Sequence, residues 1–253
     1  MEYFYRILFL CPMLFLAGLI DGIAGGGGVI AMPAYLLTGL PIHVVYGCNK
    51  LQSCVGTAAA LVRYARSGYV DGKIALIASG TAILGSYLST QILLTMSDTA
   101  IKWMIAVAMC FVLVLMFFTQ RISSGEICRV KLTPGTVGIC FAIGLILGLY
   151  DGFFGPGGGT VALMLFTVAF HYDMRTGNGN GKVIIVISNL VALVTHLAHG
   201  NVWFAYAIPA TIANVVGSYL GASLGVKKGS TIVRKIMVVV VLLVLVQAVV
   251  KMI

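Results

Sequence analysis

Ten apolar segments follow one another with little polar sequence between them, and no other feature restricts the possible folds as much. Five precede residue 120 (5–24, 29–45, 51–63, 74–96 and 101–118) and five follow it (137–150, 160–170, 183–199, 202–226 and 232–253). Several reach the roughly 20 residues that a helix needs to cross a bilayer. Backbone polar groups in lipid must be satisfied within the protein, which favours helices. Only 9% of residues are charged and 60% are hydrophobic, with a mean hydropathy of +1.06. A soluble domain carries about 25% charged residues. The predicted fold class is therefore an all-α integral membrane protein with lipid as its principal partner. Residues 7–20 could pass for a signal-peptide core, but a near-copy of their downstream border recurs in mid-chain, so they read as a retained first helix.

The net charge of +9 does not point to nucleic acid. The basic residues lie between apolar runs, as in cytoplasmic membrane loops, and form no basic stripe on an amphipathic element. Six cysteines, without a CxxC pair, read as small buried hydrophobes.

The two sets of five segments are copies of one another. Asp21-Gly22 matches Asp151-Gly152 at an offset of 130, and Gly25, Gly27 and Gly28 match Gly155, Gly157 and Gly158. A two-residue insertion moves the offset to 132. There Lys50 meets Lys182, Gly68 meets Gly200, Val70 meets Val202, Lys102 meets Arg234, and Gly-Ser-Tyr-Leu at Gly85 recurs at Gly217. The predicted organisation is a first repeat over 1–120, a polar linker over 121–133 and a second repeat over 134–253. If all five segments of a repeat cross, Arg63, Arg66, Lys73, Lys131, Arg175 and Lys227 fall on one side, and Arg6, Lys50 and Lys102 on the other. If the short second segments dip in and return, the basic clusters split between both faces. The odd count fits the enrichment of cytoplasmic loops in Lys and Arg, and makes the repeats inverted.

Two constellations carry chemistry. In the first, Gly25, Gly26, Gly27 and Gly28 follow Asp21, and Gly157, Gly158 and Gly159 follow Asp151 and Pro156. Runs this rich in glycine break a membrane helix, and broken backbone is tolerated there only when buried in protein or lining a watery cavity. A helix restarting after such a run presents free N–H groups and its positive dipole end, a setting for an anion. The plainer reading is close helix packing by small residues. The second constellation is Asn49-Lys50-Leu-Gln52, with Lys182 in the other half, each lysine opening the third segment of its repeat. Two ammonium groups entering from opposite faces would complete an anion site. Snorkelling of a helix-end lysine to the headgroups is the alternative.

Asp21 and Asp151 border the glycine breaks, and ionisable groups at membrane depth are functional candidates. Proton relay, helix capping and pairing with Lys50 and Lys182 are all open to them. Ser188 and Asn189 can line a path or bond between helices. His196 and His199 share a helix face, but no Cys, Asp or Glu in their helix completes a metal site, so no metal and no cofactor is expected. Ser218 lacks a Gly-x-Ser-x-Gly setting and a placed base, so the chain is not read as an enzyme.

These residues resemble a known family. Asp21-Gly-Ile-Ala-Gly-Gly-Gly-Gly28, then Pro33, then Asn49-Lys-Leu-Gln-Ser-x-x-Gly-Thr57, is similar to the first-half signature of the TauE/SafE (sulfite exporter) family. Gly148-x-Tyr-Asp-Gly-Phe-Phe-Gly-Pro-Gly-x-Gly159, with Lys182 and Ser188-Asn189, resembles its second-half signature. The resemblance implies a multi-pass inner-membrane permease that exports a sulfur oxyanion or organosulfonate such as sulfite or sulfoacetate. It also implies eight spanning helices, fewer than the ten segments counted here. The residues themselves imply only a small anionic substrate and broken helices. A carrier working by alternating access and a passive anion channel both suit them, and homo-oligomers are left open.

Overall fold

In the computed structural model, residues 2–119 and 130–228 are described. Nine helices and no strands are found among them. The first half forms α1 (Glu2–Ala24), α2 (Gly28–Leu36), α3 (Ile42–Arg66), α4 (Gly72–Thr95) and α5 (Asp98–Thr119). The second forms α6 (Pro134–Phe153), α7 (Gly158–Phe170), α8 (Met174–Ala198) and α9 (Phe204–Lys228). The tenth apolar segment and most of the linker fall outside the described residues.

Five of these helices, α1, α4, α6, α8 and α9, are long and apolar enough to cross a membrane. Their outward faces carry large exposed apolar side chains such as Leu76, Leu84, Phe141, Val194 and Ile212. In water such a surface would drive aggregation, whereas facing lipid it is a solvated one. The chain is an all-α integral membrane protein.

Contacts along the helices give their directions. On α1 and α9, Tyr3 donates to Ala205 O, Gly18 packs on Asn214, and Gly22 packs on Ser218 and Ala222, so these helices run parallel. On α4 and α6, Thr81 donates to Phe141 O, and Gly152 packs on Ser86 and Ser89, again in parallel. Small residues line both seams, which lets the backbones come close where lipid supplies no hydrophobic drive between helices. The repeated Gly-Ser-Tyr-Leu sits in them, with Gly85 against α6 and Gly217 against α1.

At the centre, α3 and α8 run antiparallel. Tyr46 stacks on His196, the Cys54 thiol meets Val186 O, and Asn178 bonds to Tyr64. Thr57 reaches Asp21, and Tyr64 reaches Gly22, so α3 runs with α1. The chain must therefore return between them. Helix α2 supplies about 13.5 Å of that return at 1.5 Å per residue, and residues 25–27 and 37–41 supply the rest. Arg63, Arg66, Lys73, Lys131 and Arg175 lie together at the end where α3 stops and α4, α6 and α8 begin.

Two expected boundaries are corrected. Helix α3 starts at Ile42 after Pro41, and α8 starts at Met174 after Asp173, whose carboxylate accepts bonds from Thr176 N and Arg175 N. Lys50 and Lys182 therefore lie two turns inside their helices rather than opening them. Apolar counting ends a segment at the first polar run, but here the polar run is helical and buried.

Candidate functional site

The two glycine breaks cross each other inside the protein. Gly25 has φ 77° and Gly155 has φ 73°, left-handed values that stop α1 and α6. Thr160 N donates to Gly25 O at 3.2 Å, and Thr160 Oγ1 donates to Ala24 O at 3.2 Å, so the second break is bonded to the first. A Cβ on Gly25 would overlap the backbone of Gly159, and one on Gly28 would stand 2.8 Å from Pro156 Cα. Glycine is needed here for close approach as much as for backbone freedom. Gly26, Gly27, Gly157 and Gly158 complete the crossing, and all are buried.

Each break is met by a lysine of the opposite half. Lys50 Nζ donates to Asp151 Oδ2 at 2.9 Å and to Asp151 O at 2.6 Å. Lys182 Nζ donates to Asp21 Oδ2 at 3.1 Å and to Asp21 O at 2.7 Å. Both lysines are buried, which excludes snorkelling in this conformation. The Asp151 side chain is 3% exposed, against 18% for Asp21, so the first pair is the drier. Gly27 and Gly157 stand at the N-cap positions of α2 and α7, beside Asp21 and with Asp151 next to the following Gly158. A buried ammonium needs a compensating charge, and the aspartate's own carbonyl adds a second acceptor, which at Asp21 also takes a bond from Gly25 N at 2.9 Å.

Neighbouring side chains complete the two sets. Ser188 Oγ donates to Asp151 Oδ2 at 2.9 Å, and Thr57 Oγ1 donates to Asp21 Oδ2 at 3.2 Å. Gln52 Nε2 donates to Asn49 Oδ1 and to Ser53 Oγ, both at 3.0 Å, which holds the polar face of α3 beside Lys50. Its Oε1 is buried with no hydrogen-bond partner among the described residues. Asn189 is also buried. Among the described residues no group of three or more His, Cys, Asp or Glu could hold a metal.

Four participants were not singled out from the sequence. Tyr46 OH donates to Phe153 O at 3.1 Å, and Asn178 Nδ2 donates to Ile23 O at 2.9 Å. Tyr46 and Asn178 lie 132 residues apart and Ile23 and Phe153 lie 130 apart, the two offsets of the repeat. Each precedes its lysine by one helical turn, a spacing that shares a face. Tyr64 OH and Thr160 Oγ1 bond to carbonyls of the first break. Tyr46 and Asn178 can be found by reading one turn back from each lysine, and Tyr64 as the position 132 residues before His196.

Comparison with known proteins places the chain among membrane transporters. The family model described as "Sulfite exporter TauE/SafE" matches residues 10–248. A "Probable membrane transporter protein ORF9" of Sinorhizobium sp. is 29% identical over 244 residues, covering 94% of this chain and 90% of that protein. A "Probable membrane transporter protein" of Haemophilus influenzae is 29% identical over 225 residues, with 89% and 87% covered. The "Probable membrane transporter protein YfcA" of Escherichia coli K12 is 25% identical over 248 residues, with 95% and 91% covered. No solved structure matches. With its motifs in order, and a family match running almost from end to end, the chain belongs to the sulfite exporter TauE/SafE family of membrane transporters.

Proposed function

We propose that this protein exports a small sulfur oxyanion or organosulfonate, of the sulfite or sulfoacetate kind, by alternating access at the crossing of its two glycine breaks. The observation that carries the reading is the exchange of ion pairs between halves, Lys50 with Asp151 and Lys182 with Asp21. Each lysine is held by a carboxylate that a substrate anion can replace. Removing one partner of a buried pair costs about 3–5 kcal/mol, because an uncompensated charge is left behind. An arriving anion supplies the missing charge, so substrate and carboxylate exchange on the same ammonium. That exchange frees one contact between the halves and lets them rock.

The antiparallel α3 and α8, and the match at an offset of 132, support two inverted repeats with a shared site near the midplane, a recurrent transporter plan. The basic end at Arg63, Lys73 and Arg175 is assigned to the cytoplasm, with the chain in the inner membrane. Direction follows from voltage. With the interior negative, expelling one negative charge gains about 2.3 kcal/mol per 100 mV, so export requires no coupled ion.

The test is flux through the purified protein in proteoliposomes loaded with sulfite, thiosulfate, sulfoacetate or a simple carboxylate. Saturable efflux with counterflow for the sulfur anions is expected. Single-channel current steps would make the protein a pore, and flux of carboxylates alone would remove the sulfur assignment.

A further inference from the structure

His196 lies in the last turn of α8, fully buried, with its ring stacked on Tyr46 at 6.3 Å between centroids and 24° between planes. Neither Nδ1 nor Nε2 has a hydrogen-bond partner among the described residues. Tyr46 gives its hydroxyl to Phe153 O and meets the ring by stacking, not by a hydrogen bond. The position 132 residues earlier is Tyr64, and there the protein uses the polar group fully. Tyr64 OH donates to Gly22 O at 3.1 Å and accepts from Asn178 Nδ2 at 2.9 Å. At one break the polar group in this position thus both donates and accepts, while at the other the same position carries an imidazole with neither nitrogen paired among the described residues. Buried polar groups are almost always satisfied, and an imidazole always carries at least one N–H to give.

The surroundings select the kind of partner. Lys50 lies one helical turn beyond Tyr46 on α3, the residue on which the imidazole stacks. Among the described residues no carboxylate joins the histidines in a group able to hold a metal. A donor beside an ammonium that is exchangeable between Asp151 and an incoming charge suits an oxyanion, which can accept from both at once.

We infer that His196 is an anion ligand on the side of the crossing away from Arg175, giving an N–H bond to one oxygen of the transported oxyanion while Lys50 binds another. This rests on the anion-carrier reading above. The bond forms only after Lys50 has left Asp151, so the empty protein leaves the imidazole unbonded.

The experiment measures sulfite efflux from proteoliposomes of the full chain, as a function of sulfite concentration, for wild type, His196→Phe and His196→Gln. Phenylalanine keeps the stack on Tyr46 without a donor, and glutamine restores an N–H. The expected result is a half-saturating concentration raised about tenfold or more in His196→Phe, and kept within about threefold of wild type in His196→Gln. Wild-type behaviour of His196→Phe, or equal impairment of both variants, would overturn the assignment. If wild type moves no sulfite, the sulfur reading fails by itself. His196 is then read from thermal melts with sulfate, phosphate, nitrate, acetate and chloride. A stabilisation by an oxyanion that His196→Phe removes supports the ligand role, and no oxyanion-specific stabilisation sinks it.

Discussion

Lys50 and Asp151, 101 residues apart and from opposite halves of the chain, meet at 2.9 Å in a setting where neither side chain is more than 3% exposed. Dry ion pairs are poor sources of net stability, since desolvation offsets most of their attraction, and their retention suggests another use. Here the pair ties α3 to the residue at which α6 begins to break. Any charge that competes for the ammonium therefore acts on the contact between halves.

This relationship yields the first prediction. Lys50→Met strands Asp151 and should lower stability by about 3–5 kcal/mol, while Lys50→Met combined with Asp151→Leu should recover most of that loss. Both variants should lose anion flux, because the binding cation is gone in each. Thermal melts and proteoliposome efflux, measured side by side, separate the two roles. A double variant that still transports would place Lys50 outside the anion path. One as unstable as the single would mean that the pair is not what holds this region.

A second prediction separates backbone freedom from close approach. Gly25 and Gly39 both have positive φ, 77° and 74°, but only Gly25 faces another backbone, that of Gly159. Gly39→Ala should cost about 1–2 kcal/mol, the ordinary price of a left-handed alanine, and leave flux intact. Gly25→Ala adds a methyl group where the breaks touch, so it should also block transport in protein that still inserts. Equal behaviour of the two variants in melts and flux would deny the crossing any special role.

How much of this was legible beforehand depends on how local each cause is. The helix breaks could be read because glycine and proline act through their own backbone, and Asp21 and Asp151 drew attention as acids beside them. The depth of Lys50 and Lys182 could not, because a run such as Asn49-Lys50-Leu-Gln52 looks like a helix end until its partners are known. Its burial depends on Asp151, a hundred residues away. One boundary does have a purely local signal: Asp173 is an N-cap residue nine positions ahead of Lys182, and an apolar count passes over it. The pairing of the two acids with lysines of the other half likewise depends on tertiary contacts.

The last prediction concerns which way the molecule faces, and it follows from helix direction. Gly72 stands at the start of α4, exposed, with nothing within 4 Å of where its Cβ would be, at the end that carries Arg63, Lys73 and Arg175. His199 is exposed just past the end of α8, at the opposite end of the antiparallel pair α3 and α8. If each helix crosses once and the basic end faces the cytoplasm, the two positions lie on opposite sides of the membrane. Single cysteines placed by Gly72→Cys and His199→Cys, in protein whose native cysteines have been replaced, report this directly. A membrane-impermeant maleimide added to intact spheroplasts should label His199→Cys, and should label Gly72→Cys only after lysis. The reverse pattern would turn the molecule over and put the basic end outside, while the voltage argument for export, set by the sign of the membrane potential alone, would stand. Labelling of both from outside would mean that the short helices α2 and α7 do not complete a crossing, and the inverted arrangement would fall with it.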